Sequence, residues 1–243
     1  MQTEVFDPLL RFLTERDDIV DREVGSLRQL FSGLRKYAAK AEIILEGAKP
    51  RESLLLVEGF VARFRYDEDG QRLLSAIHVP GDFLDLHGFL LRRMDHGLVA
   101  LAPSRILAAP HERLISLSQS EPHVTRLLWM STVIDAAIHR AWIIASGQKS
   151  ADAHLAHFFC EMNWRLRVVG LSDGVTFDLP ITQQDCADLL GRSLIHVSRG
   201  LRSLRTKGLM TWIGGKVTIL NAKALTDLAE FDPTYLSSWK ESR

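Results

Sequence analysis

Between residues 40 and 110 the apolar positions follow the period of a strand, and from residue 122 they follow that of a helix. Phe60, Ala62, Phe64 and Tyr66 alternate with Val61, Arg63 and Arg65, which predicts a strand with the first set buried and the second toward solvent. Glycines 47, 59, 70 and 81 recur at spacings of 12, 11 and 11, the rhythm of an antiparallel sheet that turns at each glycine. Residues 67–70 form a hairpin loop in this reading, and further strands fit 73–79, 98–102 and 105–109. About eight short strands in this stretch predict a jelly roll or small sandwich. Beyond Pro122, residues Leu127, Met130, Ile134, Ala137, Ala141 and Ile144 follow at spacings of 3, 4, 3, 4 and 3. They share one seam, as in a helix that pairs with a copy of itself, while Leu128, Val133, Ile138 and Trp142 supply a second apolar face for the sheet. A single amphipathic helix lying on its own sheet is the alternative. Gly147 is expected to end the helix, with a polar hinge at 148–150.

The second half opens with a predicted helix from 151 to about 166, then a loop containing Gly170 and Gly174. After Pro180 the signals are dense. Thr182 caps a helix over 183–190 with Asp185 as its capping-box partner, and Gly191 ends it. Ser193 caps a second helix over 194–207, ended by Gly208. Ala187, Gly191 and Val197 provide the small residue, the turn glycine and the apolar anchor that a helix-turn-helix needs. Strands at 209–213 and 216–220, joined by Gly214 and Gly215, make a wing. The expected fold is therefore α+β: an N-terminal antiparallel β jelly roll over 1–120, a long dimerisation helix over 121–148, and a C-terminal winged helix-turn-helix over 149–243.

With 46% hydrophobic and 25% charged residues in 243, the chain is an ordinary globular protein and not a disordered or fibrous one. Thirty basic and thirty acidic side chains cancel, so overall charge does not hold it to nucleic acid. The distribution is uneven, however. Residues 193–207 carry Arg199, Arg202, Arg205 and Lys207 and no acid, which places positive charge on the element that would meet phosphates. The two cysteines, Cys160 and Cys186, sit in apolar helical segments and read as reduced buried thiols, too few for an all-cysteine iron–sulfur cluster. Glu4 and Asp7 precede the first basic residue and no signal-peptide run follows, so a cytoplasmic protein is expected. The apolar stretch 133–145 contains Asp135, His139 and Arg140 and is too short and too charged for a membrane span.

At this point the sequence resembles the Crp/Fnr transcription regulators, over nearly the whole chain and most specifically in LPITQQDCADLLGRSLIHVSRGLRSLRTKGLM. The ending FDPTYL, 231–236, is similar to a subgroup of that family. The resemblance puts the family's base-contacting arginine at Arg199, whose planar fork suits guanine O6 and N7. His196 and Ser198 would hold a phosphate or a base edge, Ser193 a phosphate, and Thr182, Arg202, Arg205 and Lys216 complete the DNA-facing set. Many members carry Glu where this chain has Ile195, which leaves the base preferred at that step open. In cyclic-nucleotide-binding members a Gly-Glu pair and an Arg-Ser pair hold the ribose and phosphate. Here Gly81-Asp82-Phe83 is retained, but those pairs fall on Asp85-Leu86 and on His96-Gly97, while Arg92 and Arg93 lie too early. Cyclic AMP is therefore not expected as the effector, and His139 and Arg140 on the long helix are candidates for reading another one.

His78, His87, His96 and His111 lack the paired spacing of a metal motif, so no metal site is expected, and a haem stays open. The function read from the sequence is a non-enzymatic, dimeric, sequence-specific regulator on a palindromic site, with RNA polymerase as a further partner. The rival from another class is a cupin-like metal-dependent enzyme with an appended C-terminal module, and a third reading is a constitutive DNA binder. Effector, promoters and the sign of regulation are not read from the sequence.

Overall fold

A computed structural model describes residues 5–236 except Gln71 and Arg92, so the clamp reading of Arg92 lies outside the described residues. The chain begins with α1 (Asp7–Thr14) and α2 (Asp21–Leu30), which the sequence reading did not assign. Seven strands follow: β1 (Leu34–Tyr37), β2 (Glu42–Ile44), β3 (Glu52–Glu58), β4 (Val61–Tyr66), β5 (Arg72–His78), β6 (Gly97–Ala100) and β7 (Ser104–Pro110). They form two antiparallel sheets, β1-β7-β3 and β2-β6-β4-β5. Six of them lie between residues 40 and 110, fewer than expected, because the described residues of 79–96 form a turn, a 3-10 helix (Leu86–Phe89) and loops. Then come α3 (His111–Ser120), α4 (Pro122–Gln148), α5 (Ala151–Val168), β8 (Thr176–Asp178), α6 (Gln183–Leu190), α7 (Leu194–Thr206), β9 (Met210–Ile213), β10 (Lys216–Ile219), α8 (Ala222–Ala229) and a closing 3-10 turn (Pro233–Leu236).

The alternation in β4 has a different meaning from the predicted one. Phe60, Ala62 and Phe64 are buried, but against α5 and the helix-turn-helix, in a cluster with Phe158, Phe159 and Cys186. Val61 belongs to the inside of the roll, packed with Leu54, Leu56, Leu98 and Ile106. The strand is thus covered on both faces, and Arg63 is 6% exposed. Opposite Arg63 and Phe64 the partner strand β5 carries the extra residue Ser75 as a bulge, so the irregularity lies in β5 and the alternation of β4 is kept. Tyr66, predicted buried, is exposed at the strand end, where its hydroxyl donates to Glu42 at 2.8 Å.

Gly147 does not end α4, which runs to Gln148; the chain turns at Lys149, and Ser150 caps α5 through the N–H of Ala153. Ten consecutive-range residues of α5, from His154 to Met162 plus Leu166, are buried, so this helix is the axis on which roll and winged helix both pack. The core is continuous across the 148–150 hinge. A second cluster joins α1, α2, α3 and α4, with Leu9, Phe12, Leu13, Leu27, Leu127 and Ile134 at its centre. The loop around Gly170 and Gly174 leads into β8, which extends the wing to three strands in the order β8-β10-β9.

Candidate nucleic-acid interface

The helix-turn-helix is built by local chemistry. Thr182 accepts the N–H of Asp185 at 3.0 Å while the Asp185 carboxylate accepts the N–H of Thr182 at 3.0 Å, a reciprocal capping box. Gly191 sits at φ +59°, the left-handed conformation that ends α6 with little strain only for glycine. Ser193 caps α7 by accepting the N–H of His196 and also contacts the His196 Nδ1 at 2.7 Å. Val197, Gly200 and Leu204 are the buried face of α7. At about 100° per residue, Ile195, Arg199 and Arg202 lie on the opposite face, with Ser198 and Arg205 on one flank. All five are exposed.

Among the described residues none of Arg199, Arg202 and Arg205 takes part in an ion pair. Lys207, by contrast, is paired with Asp152 of α5 at 2.8 Å, so the positive charge open to a ligand is arginine. Beside α7 lies a cleft of about 340 Å³ between the helix and the wing, lined by Ser198, Arg199, Arg202, Arg205, Trp212 and Ile213, among others. Gln183 at the start of α6 lines it too. The sequence reading missed Gln183, although the first residue of the capped α6 was the available signal. Lys216 is exposed at the start of β10, beyond the Gly-Gly turn. The Thr182 hydroxyl, expected at DNA, is engaged with Asp185 at 2.6 Å, which makes this residue first of all a cap.

The predicted effector residues do not converge. Asp85 is fully buried and accepts the N–H of Leu54 at 2.6 Å, and burial pushes its carboxyl up to about 7. Gly97 starts β6 under the Phe64 ring, where a Cβ would meet Phe64 at 2.4 Å. His139 Nδ1 lies 2.8 Å from the carbonyl oxygen of Asp135, and Arg140 is exposed. His96 is buried beside Asp95. Of that set only Leu86 lines the cavity between the roll and α4, whose other walls include Arg63, His78, Asp82, His87, Thr132, Asp135 and Arg165.

An arginine therefore does stand inside the roll, contrary to the reading that placed Arg63 in solvent. It is already bound: Arg63 pairs with Asp135 of α4 at 2.7 Å and donates to the carbonyl of Leu84 at 3.0 Å. A second buried arginine ties the roll to the C-terminal half. Arg165 of α5 reaches Asp82 at 2.6 Å, the carbonyl of Ile77 at 2.9 Å and Glu161 at 3.3 Å. Burial would raise Asp82, but Arg165 and then His78 hold it down to about 2. Burial and the charge of Arg63 push His78 down to about 4. Glu161 in turn accepts from Trp142 of α4 at 3.0 Å and from the Tyr235 hydroxyl at 2.6 Å, which gives the FDPTYL ending a structural role.

The six residues predicted as a seam on α4 do not share one open face of the chain. Leu127 and Ile134 are buried within the chain, against α1 and the roll. Met130, Ala137 and Ala141 are half-buried, and Ile144 is exposed. The uncovered apolar stripe is Trp129, Val133, Ala136 and Ile143, with Trp129 71% and Ile143 72% exposed, about a third of a turn from the six predicted positions. At 27 residues α4 is longer than the apolar stretch first read, and by length and composition alone it could cross a bilayer. Its other face carries the Arg63–Asp135 pair and part of the core. Cys160 and Cys186 are buried, and burial raises both thiols, Cys160 to about 12.

Comparison with known proteins follows the same division of the chain. The family model of the cyclic nucleotide-binding domain matches residues 34–121, and that of the Crp-like helix-turn-helix domain matches 153–228. The transcriptional activator protein FnrL of Cereibacter sphaeroides is 26% identical over 201 residues, 82% of this chain and 80% of its own length. The nitrogen fixation regulation protein FixK of Bradyrhizobium diazoefficiens is 27% identical over 180 residues, 72% of each chain. Among solved structures, FixK2 from Bradyrhizobium japonicum superposes with a TM-score of 0.72 at 25% identity, covering 81% of this chain and 96% of its own.

Proposed function

This chain belongs to the Crp/Fnr family of DNA-binding transcription regulators, and from that membership we propose that it acts as a homodimer whose α7 helices read a palindromic site. The observation that carries the reading is the outward face of α7, where Arg199, Arg202 and Arg205 stand beside the wing without acidic partners among the described residues. Arg199 reads guanine, Ile195 on the same face meets a neighbouring base by apolar contact, and Arg205 and Lys216 hold phosphate. Ser193, His196 and Ser198 flank that face, and the backbone at the start of α6 by Thr182 offers a further phosphate contact.

The second copy covers the stripe Trp129, Val133, Ala136 and Ile143, the apolar face of α4 that this chain leaves open. Two-fold pairing along α4 sets the reading helices about one DNA turn, roughly 34 Å, apart. The protein works in the cytoplasm, at promoters, through RNA polymerase, and catalyses no reaction; nothing in the comparisons supports a cupin-like enzyme. Cyclic AMP is not its effector, because Arg63 is committed to Asp135 and Leu84 and the buried Asp85 stands where the family's ribose-binding pair begins.

A salt series on selected and random DNA tests the reading. Arg199→Ala should cost about 1 to 3 kcal/mol on the selected site and far less on random DNA. Arg205→Ala should weaken both alike and reduce the salt slope by about one. Equal weakening of both DNAs by Arg199→Ala would remove base reading from this residue. Val133→Glu with Ile143→Glu should sediment as a monomer, and a persisting dimer puts the interface elsewhere.

A further inference from the structure

The loop between the 3-10 helix and β6 brings together three groups that nine residues of sequence separate. His87 and His96 have ring centroids 5.2 Å apart, and one ligand atom each of His87, Asp95 and His96 lies within 4.8 Å of the other two. Asp95 Oδ1 and His96 Nδ1 lie 2.8 Å apart across one shared proton, a spacing that two ligands of a single ion reach by opening slightly once the ion replaces that proton. His96 is only 8% exposed, so its ring is held in place by packing. Among the described residues the buried Nε2 of His87 has no hydrogen-bond partner. An orphaned imidazole nitrogen beside that pair is costly unless something binds it. Asp95, with its side chain 74% exposed, opens the place to solvent and keeps a second carboxylate oxygen available.

We propose that His87, Asp95 and His96 form a binding site for a divalent transition-metal ion of the Zn²⁺ or Co²⁺ kind. Two imidazoles and a carboxylate are the donor set these ions take, with water in the remaining position, whereas Ca²⁺ and Mg²⁺ prefer oxygen alone. Tetrahedral ligation needs donor atoms about 3.4 Å apart, a closure that the exposed Asp95 and half-buried His87 supply by small side-chain rotations. The positive charge of Arg63, which acts on both imidazoles, is offset by Asp135. Because His87 also lines the cavity against α4, metal binding would be felt at the Arg63–Asp135 pair and so at the long helix. This site is independent of how α7 reads DNA.

The test uses the full chain, stripped with chelator and titrated with Co²⁺ alone. One equivalent per chain should give the visible d–d absorption of a low-coordinate site, displaced by Zn²⁺. His87→Ala and His96→Ala should each weaken Co²⁺ binding by at least about 10- to 100-fold. Asp95→Asn, which leaves the buried residues intact, guards against a variant that fails to fold and should weaken binding as well. His123→Ala should leave it unchanged, because His123 sits far from this loop in a separate contact with Glu23. Absence of stoichiometric Co²⁺ binding would overturn the site. So would binding that survives in all three site variants, or that disappears in His123→Ala.

Discussion

Arg63 and Arg165 in the roll and Arg199 and Arg202 on α7 are the same side chain under opposite conditions. The first two are buried and closed into pairs with Asp135, Asp82 and Glu161. The others are exposed and, among the described residues, unpaired. A buried arginine fixes how two halves of the molecule sit together, and its charge is already answered. An exposed one contributes little to the fold and keeps its donors for a ligand. The Asp82–Arg165–Glu161 chain links the turn after β5 to α4, α5 and the closing 3-10 turn, none of which is part of α7.

The largest expected effect is on the buried side of this contrast. Arg165→Met leaves Asp82 and Glu161 unpaired and should cost about 3 to 5 kcal/mol in urea unfolding. Arg199→Met should stay within about 0.5 kcal/mol. Equal losses in the two variants would break the contrast.

Acid sharpens it next. His78 ordinarily titrates near 6.5 and is held down to about 4 by burial and Arg63, so folding favours its neutral form. Its contribution is complete above pH 6.5 and is lost as pH falls through 4, about 3 kcal/mol in all. Asp85 has the opposite sign: raised to about 7, it favours the folded state as pH falls below 7. Urea midpoints at pH 7 and pH 4 should therefore converge in His78→Gln and diverge in Asp85→Asn. No change in His78→Gln would show that this histidine is not buried neutral.

The smallest effect falls on the capping box. Thr182→Ala should destabilise by about 1 kcal/mol, with DNA affinity falling only as far as α6 frays. A loss of DNA affinity at unchanged stability would instead put the Thr182 hydroxyl on a phosphate.

The amino-acid sequence determined the winged helix-turn-helix almost to the residue. Its caps at Thr182 and Ser193, its stop at Gly191 and the Gly214-Gly215 turn act within a few residues of where they stand. The helical period of α4 was equally plain, as was the strand period of β4. Which side of each element faced what was not, because both carry apolar residues on more than one face. Only the tertiary structure decided that Leu127 and Ile134 are buried within the chain, in a cluster shared with α1, α2, α3 and the roll, and that the open stripe falls on Trp129 and Ile143. It likewise decided that the face of β4 opposite Phe60 and Phe64 is the inside of the roll, so that Arg63 is internal. The meeting of His87 with His96 depends on a loop path and a 3-10 turn that no local periodicity records. Caps and turns are satisfied by neighbours in sequence, whereas burial and charge pairing are satisfied by whichever distant element folding brings close.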